Sequence, residues 1–275
     1  YVHEFESHFS YHFSLKRLTQ APAGSLYFLN SVGNDPANVV KDLTTSEVGL
    51  SLRYAPKEQF YQGKIYRTPV PSKYPVLSLD YTAGLKNVLG SPYGYQNLHI
   101  EVDKRFYLSY LGYADVTVEA AKTFGQVPYP LLDIFRANQT YAYDIYSYNL
   151  MNFLEFVGDH YASVNIDQHF VGFFFNKVPL LKKLKWREVL SLKAIYGGVS
   201  DNNNPSLHPS LYQFPVSSTG QPITYALGKT PYVEGSVGIE NIFKFVRVDL
   251  VRRFTYLDHP DVSKYGIRAR VKFDF

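Results

Sequence analysis

Almost every stretch of this chain that reads as ordered alternates apolar and polar residues with a period of two, and the polar half carries charge of both signs. Period two marks a β-strand whose two faces meet different surroundings. Residues 265–275, YGIRARVKFDF, show it most sharply. Tyr265, Ile267, Ala269, Val271, Phe273 and Phe275 fall on one side, while Arg268, Arg270, Lys272 and Asp274 fall with Gly266 on the other. Upstream, Phe5, Phe9, Tyr11, Phe13 and Leu15 oppose Glu6, His8, Ser10, His12 and Ser14. Val48, Leu50, Leu52 and Tyr54 oppose Glu47, Ser51 and Arg53, and Leu77, Leu79 and Tyr81 oppose Ser78, Asp80 and Thr82. Leu98, Ile100, Val102 and Phe106 then oppose His99, Glu101, Asp103 and Arg105, and Val116, Val118 and Ala120 oppose Asp115, Thr117 and Glu119. Later, Ala162, Val164 and Ile166 oppose Asn165, Asp167 and His169, and Leu190, Leu192 and Tyr196 oppose Ser191 and Lys193. Val233, Val237 and Ile239 oppose Glu234, Ser236 and Glu240; Val246, Val248 and Leu250 oppose Arg247, Asp249 and Arg253. This pattern predicts about ten strands and hardly any helix.

A soluble β-sandwich turns its polar face to water, where Ser, Thr and Lys suffice, whereas here Asp, Glu, Arg and Lys are mixed on nearly every strand. The lumen of a transmembrane barrel accounts for that mixture. Aromatic residues make up 17% of the chain, with 25 Tyr and 20 Phe but one Trp, and a ring with a polar tip suits a membrane interface. No apolar run approaches the roughly 18–20 residues of a spanning helix, and the mean hydropathy of −0.19 is too polar for a helical membrane protein. The expected fold class is therefore all-β, a transmembrane antiparallel β-barrel, with residues 1–275 forming one barrel domain. Counting back from Phe275 with that end periplasmic, residues 255–263, 199–230, 125–152, 87–95 and 18–43 become external loops. Residues 241–243, 171–186, 109–112 and 56–75 become periplasmic connections. Long loops fall outside and tight turns inside, as barrels require, except that 56–75 and 171–186 are long. LLKKLKW at 180–186 suggests a small periplasmic element there.

Three segments carry a family resemblance: GQVPYPLLDIFRANQTYAYDIYSYNLMNFLEFVGDHYASVNIDQHF at 125–170, GFFFNKVPLLKKLKWREV at 172–189 and GIENIFKFVRVDLVRRF at 238–254. Together they resemble the barrel region of Bacteroidota outer-membrane proteins described as carboxypeptidase-like regulatory domain-containing, over about residues 44–275. That label names an N-terminal periplasmic sandwich domain which is not in this sequence, so no peptidase activity is implied. The end of the chain resembles the C-terminal signal of outer-membrane proteins, carried by Tyr265, Val271, Phe273 and Phe275. More distantly, the chain is similar to BamA-type assembly and translocation barrels, which have sixteen strands and an external loop between the eleventh and twelfth that folds into the lumen. If Phe275 ends strand sixteen, loop 125–152 takes that place, and this sequence supplies the C-terminal ten or so strands, with about six more expected upstream. The arginine-glycine-aromatic core of that family's loop is missing, since Arg136 stands without a following Gly and Tyr141, Tyr143, Tyr146 and Tyr148 dominate. The resemblance implies that a lumen loop of Arg136, Tyr141, Tyr143, Asp144, Asn149, Asn152 and Glu155 packs on a wall of Arg247, Asp249, Arg268 and Arg270.

Catalytic alternatives are weak. His8 and His12 share a strand face near Glu4 and Glu6, but four strand residues span about 13 Å, too far for one ion. His99 with Asp103, and Asp167 with His169 and Ser163, contain the residue types of a hydrolytic triad, yet no nucleophile elbow frames them. The chain has no cysteine, which removes thiolate chemistry, and glycine-rich phosphate loops are absent. A net charge of +4 spread along the chain is no nucleic-acid signal. The expectation is a non-enzyme of the bacterial outer membrane, with no cofactor and no metal. It would contact outer-membrane lipid and other outer-membrane or periplasmic proteins in a complex, assisting biogenesis or export of surface proteins. A porin-like or importer-associated transport barrel, and a structural barrel anchoring a periplasmic domain, are the alternatives.

Overall fold

A computed structural model describes residues 1–23, 28–29, 39–64, 67–217 and 219–271. The fold is all-β and built on one antiparallel sheet of eleven strands. In chain order these are β1 (Val2–Glu4), β2 (Phe9–Gln20), β3 (Leu43–Tyr54), β4 (Val76–Gly84), β5 (Tyr95–Tyr107) and β6 (Tyr113–Phe124). There follow β7 (His160–His169), β8 (Arg187–Gly198), β9 (Tyr232–Ile242), β10 (Val246–Arg253) and β11 (Tyr265–Val271). Each strand pairs with its neighbours in sequence, so the sheet is a simple meander. Among the described residues β1 and β11 are its two edges, and no pairing joins them.

One element differs from the alternation. Residues 5–15 read as part of a single strand, but the chain reverses after Glu4: Phe5 N–H donates to the Phe9 carbonyl (2.8 Å), and His8 takes a positive φ of 62°. The pattern survives a reversal of even length, so period two alone does not reveal it, and eleven strands result. Phe273 and Phe275 of the expected C-terminal signal lie outside the described residues; Tyr265 and Val271 lie on the exposed apolar face of β11.

Connections divide cleanly between the two ends of the sheet. At one end run 21–42, 85–94, 125–159, 199–231 and 254–264; at the other run 5–8, 55–75, 108–112, 170–186 and 243–245. The short turns have local causes. Phe243 and Lys244 take positive φ to turn β9 into β10, and Gly112 (φ 82°) is required because a Cβ there would strike the His169 carbonyl. The two long members of the second group are structured: Phe60–Gln62 pairs with Arg67–Pro69, and Pro179–Leu184 forms a short helix, α1. Among the described residues no helix is long and apolar enough to cross a membrane.

The burial of the sheet is inverted relative to a soluble protein. On the charged face Asp249, Arg253 and Glu234 are 0%, 1% and 1% exposed, while on the apolar face Val237, Leu250 and Ile267 are 67%, 54% and 65% exposed. Charged residues with apolar-face parity, Arg17, Lys104, Lys122, Glu188 and Arg252, all lie toward strand ends. Lys104, Lys122 and Arg252 rest over Phe106, Phe124 and Phe254, their heads reaching past the apolar band. The apolar clusters lie instead above the charged face, where the long loops cover it. Val127, Tyr129, Leu132, Val157 and Tyr212 form one cluster, and Phe135, Tyr148, Met151, Phe156 and Tyr232 another.

Gly84 gives the register a direct test. It pairs with Tyr95, whose ring lies across the space a Cβ would fill and whose hydroxyl donates to Glu47 (2.8 Å). Gly84→Val is expected to displace that ring and cost about 2–3 kcal/mol, in the range of overpacking, read as a lowered thermal unfolding midpoint; Gly228→Ala, where a Cβ would come no closer than 3.8 Å to its neighbours and φ is not positive, is the milder control.

Candidate functional site

The largest structured excursion, residues 125–159 between β6 and β7, lies on the charged face of β8–β11. The strands present their charges in register: Lys193 opposite Glu234, Glu234 opposite Arg253, Asp249 opposite Arg268 and Arg247 opposite Arg270. Side chains and backbone of the loop complete what the strands leave unpaired.

The first attachment is Glu155, from the end of the loop, with Arg253 of β10. Arg253 donates Nη1 and Nη2 to the two carboxylate oxygens at 2.8 and 2.6 Å, and both groups are buried. His259 Nδ1 lies 2.8 Å from the same carboxylate, and Asn152 N–H donates to it (2.9 Å). The second is Glu234, whose oxygens accept the backbone N–H groups of Asn149 (2.7 Å) and Leu150 (3.0 Å). Lys193 Nζ donates to the carbonyls of Asp144 and Ser147, each at 2.6 Å, and Arg268 donates to the Asn149 carbonyl (2.8 Å). Asn149 itself is fully buried; its side-chain oxygen accepts from Asn138 Nδ2 and Asp144 N–H, which closes the loop on itself.

The third attachment is Tyr143. Its hydroxyl donates to Ser191 (2.9 Å), and its ring lies under Arg247, with 4.4 Å from guanidinium carbon to ring centroid. Arg247 in turn binds Asp249, Asp167 and Ser191, and Ser236 donates to Asp249. Arg136, nearer the start of the loop, pairs with Glu119 of β6. Arg270 has no ion-pair partner among the described residues and faces a cavity of about 320 Å³ lined by Arg187, Lys244 and Arg105, the last paired with Asp115, and by the carboxylates of Asp167 and Glu240.

The loop also meets the sheet edge. Ala269 N–H of β11 donates to the Tyr141 carbonyl (3.0 Å), and Tyr143 N–H donates to the Ala269 carbonyl (2.8 Å), a parallel bridge centred on Ala142. Arg268 reaches over the exposed Tyr141 ring. An edge strand carries a row of unpaired backbone groups; at Ala269 the loop satisfies both. The other long loop is tied in through a small sheet, where Phe156–Gly158 pairs antiparallel with Asp133–Ile134 and parallel with Tyr225–Ala226.

Sequence reasoning named Arg136, Tyr141, Tyr143, Asp144, Asn149, Asn152, Glu155, Arg247, Asp249, Arg268 and Arg270; the structure brings all but Arg270 into one connected set, and Arg270 stands apart at the cavity. The same reasoning missed Glu234, Lys193, Glu119 and the pairing role of Arg253. All four have charged-face parity on their strands, which was the available signal; what selects them is the loop conformation.

The two histidines of the triad-like sets, His169 and His99, are placed as ion-pair members. His169 has Nδ1 2.9 Å from Glu240 and Nε2 3.4 Å from Asp167, so neither ring nitrogen is free to take a proton from Ser163. His99 lies likewise between Asp80 (3.5 Å) and Glu119 (3.6 Å). Its Glu101 and Glu119 neighbours bring three ligand-type atoms within 4.8 Å of one another. Arg136 already balances Glu119 there. Asp133 is the one strained acid of the loop: burial pushes its carboxyl up to about 6 against a weak opposing bond from Asn97, and its Oδ2 has no hydrogen-bond partner among the described residues. Asp159 behaves oppositely: burial raises its pKa, but bonds from Ser200, Asn203 and His160 outweigh that and hold it below the usual carboxylate range.

The fold and this site define an all-β protein with a large antiparallel sheet whose charged face is occupied by its own loop. The chain belongs to the family of unknown function DUF5686, C-terminal domain, which matches residues 30–203 and so includes the whole loop. No curated protein matches it.

Two outcomes follow. Glu155→Ala or Arg253→Ala is expected to cost about 3–5 kcal/mol, because each strands a buried charge. The double variant should cost clearly less than the sum of the two, as read by thermal unfolding. Asp133→Asn should match the parent below about pH 4, where the carboxyl is protonated both folded and unfolded. From there to about pH 6 the folded parent binds the extra proton and loses stability as pH rises. The variant should therefore gain, reaching about 1–2 kcal/mol at pH 7, as measured by unfolding midpoints across that range.

Proposed function

We propose that this chain is the wall of an outer-membrane β-barrel that assists insertion or export of surface proteins, and that it is not an enzyme. The observation carrying the membrane part is the inverted sheet. Burying a Val, Leu, Ile or Phe side chain contributes about 1.5–3 kcal/mol. A face with ten such residues in water forgoes more than the whole net stability of a domain, about 5–15 kcal/mol. Hydrocarbon removes that cost, and the cations over aromatic rings at the strand ends match an interface with water.

The biogenesis part rests on the loop. If β11 is strand sixteen, β6 and β7 are strands eleven and twelve, the position of the inward loop in BamA-type barrels. The bonds between Ala269 and residues 141–143 put this loop at the terminal strand, where a closed barrel would have its seam. In this reading the loop braces the wall and occludes the lumen, and the barrel resembles those of the carboxypeptidase-like regulatory domain group. The competing reading is a transport barrel, favoured by the cavity beside Arg270, where Arg270, Arg187 and Lys244 make no ion pair among the described residues and would act on anionic solutes.

Planar-bilayer conductance separates the two. The biogenesis reading predicts a silent barrel that begins to conduct when Glu155, Tyr143 and Arg136 are replaced together by Ala. Steady conductance from the parent chain would favour transport.

A further inference from the structure

We infer that residues 170–186 form a foot that binds anionic phospholipid headgroups on the side of the membrane opposite the long loops; the inference rests on the barrel reading above. The segment continues the apolar face, because Phe170 has apolar-face parity and stacks edge-on with Phe174 (5.4 Å), which meets Phe173 (4.8 Å), which meets Tyr110 (5.7 Å). It is held in place at both ends. The Glu188 carboxylate accepts the backbone N–H groups of Gly172 and Phe175, and Asn241 Nδ2 donates to the Lys185 carbonyl (2.6 Å). Pro179 opens α1, and Lys185, in the left-handed region, ends it.

A segment so fixed would be expected to bury its apolar side chains against the sheet. It does the reverse: Val171, Phe174, Val178, Leu180 and Leu184 are exposed, Leu180 at 66%. Leu180 and Leu184 are one turn apart and share a side of α1. Beside them stand Lys177, Lys182, Lys183 and Lys185, with no Asp or Glu anywhere between Phe170 and Arg187. Lys177 lies over the Phe173 ring at 4.3 Å, and none of the four makes an ion pair among the described residues. Exposed Phe243 and Tyr110 lie at the same end of the sheet.

Apolar side chains fringed by unpaired lysines, on an element too short to span, match a surface-lying membrane contact. The unopposed charge selects the headgroup, because an anionic leaflet attracts lysines that lie near its surface. An acidic soluble protein would match the lysines but not the exposed Leu and Phe beside the apolar band.

Trp186, the only Trp of the chain, follows α1 directly and reports on it. The full chain is reconstituted into vesicles of phosphatidylcholine alone or with phosphatidylglycerol, containing lipids brominated near the headgroup or near the acyl terminus. The expected result is quenching of Trp186 by shallow bromines, stronger with phosphatidylglycerol. The variant Lys182→Gln/Lys183→Gln/Lys185→Gln should lose the preference for the anionic lipid at least tenfold. Protein that floats with the vesicles while Trp186 is quenched only by aqueous iodide would overturn the inference and leave the barrel standing. Equal quenching in both lipids would overturn the anionic selectivity. Failure to float with vesicles at all would remove the barrel reading and this inference with it.

Discussion

Charge cannot be buried unless it is paired, and the folded arrangement of this chain follows from how it meets that demand. Eleven strands gather Asp, Glu, Arg and Lys on one face, and burying an unpaired ion costs several kcal/mol. The strands alone do not satisfy the face: Arg253 and Glu234 stand opposite each other, yet Arg253 binds the Glu155 carboxylate of the loop and Glu234 accepts the loop N–H groups of Asn149 and Leu150. The loop between β6 and β7 supplies the remaining partners as one carboxylate, one guanidinium, two backbone N–H groups, four carbonyls and a tyrosine. The loop also carries many apolar and aromatic side chains, of which Val127, Phe135, Tyr148, Met151 and Phe156 are buried against the wall and the neighbouring loops.

The same loop explains why the apolar clusters sit where they do. With the charged face holding the polar contacts, rings such as Phe135, Tyr148, Phe156 and Tyr232 pack between the loops and the strands, excluding water from the ion pairs and strengthening them. The other face has no such cover, and its side chains stay exposed. A sheet with these two faces has two stable settings in principle, a bilayer or a second apolar layer, and among the described residues no second layer is present.

The alternation of residues such as Val237/Glu234 and Leu250/Asp249 was readable because strand parity is a local property. Loop 125–152 could be placed on the charged face from connection order and resemblance, and Tyr143, Asn149 and Glu155 do meet it. The partner of Glu155 could not be read, since Arg253 and Arg247 are equally charged and share a face; only the path of the loop separates them. The reversal at residues 5–8 was hidden because its even length preserves the period. Glu234 was passed over because its role is to bind backbone groups, which leave no mark in the sequence.

The central claim is that the exposed face lies in hydrocarbon and the charged face does not. The chain lacks cysteine, so Val237→Cys and Leu250→Cys on one face, with Ser10→Cys and Ser78→Cys on the other, can each carry a single environment-sensitive fluorophore in reconstituted vesicles. The account predicts that labels at 237 and 250 are quenched by a nitroxide in the lipid tails and protected from aqueous iodide, with the opposite result at 10 and 78. Iodide quenching at 237 and 250 with no effect of the lipid nitroxide would contradict it.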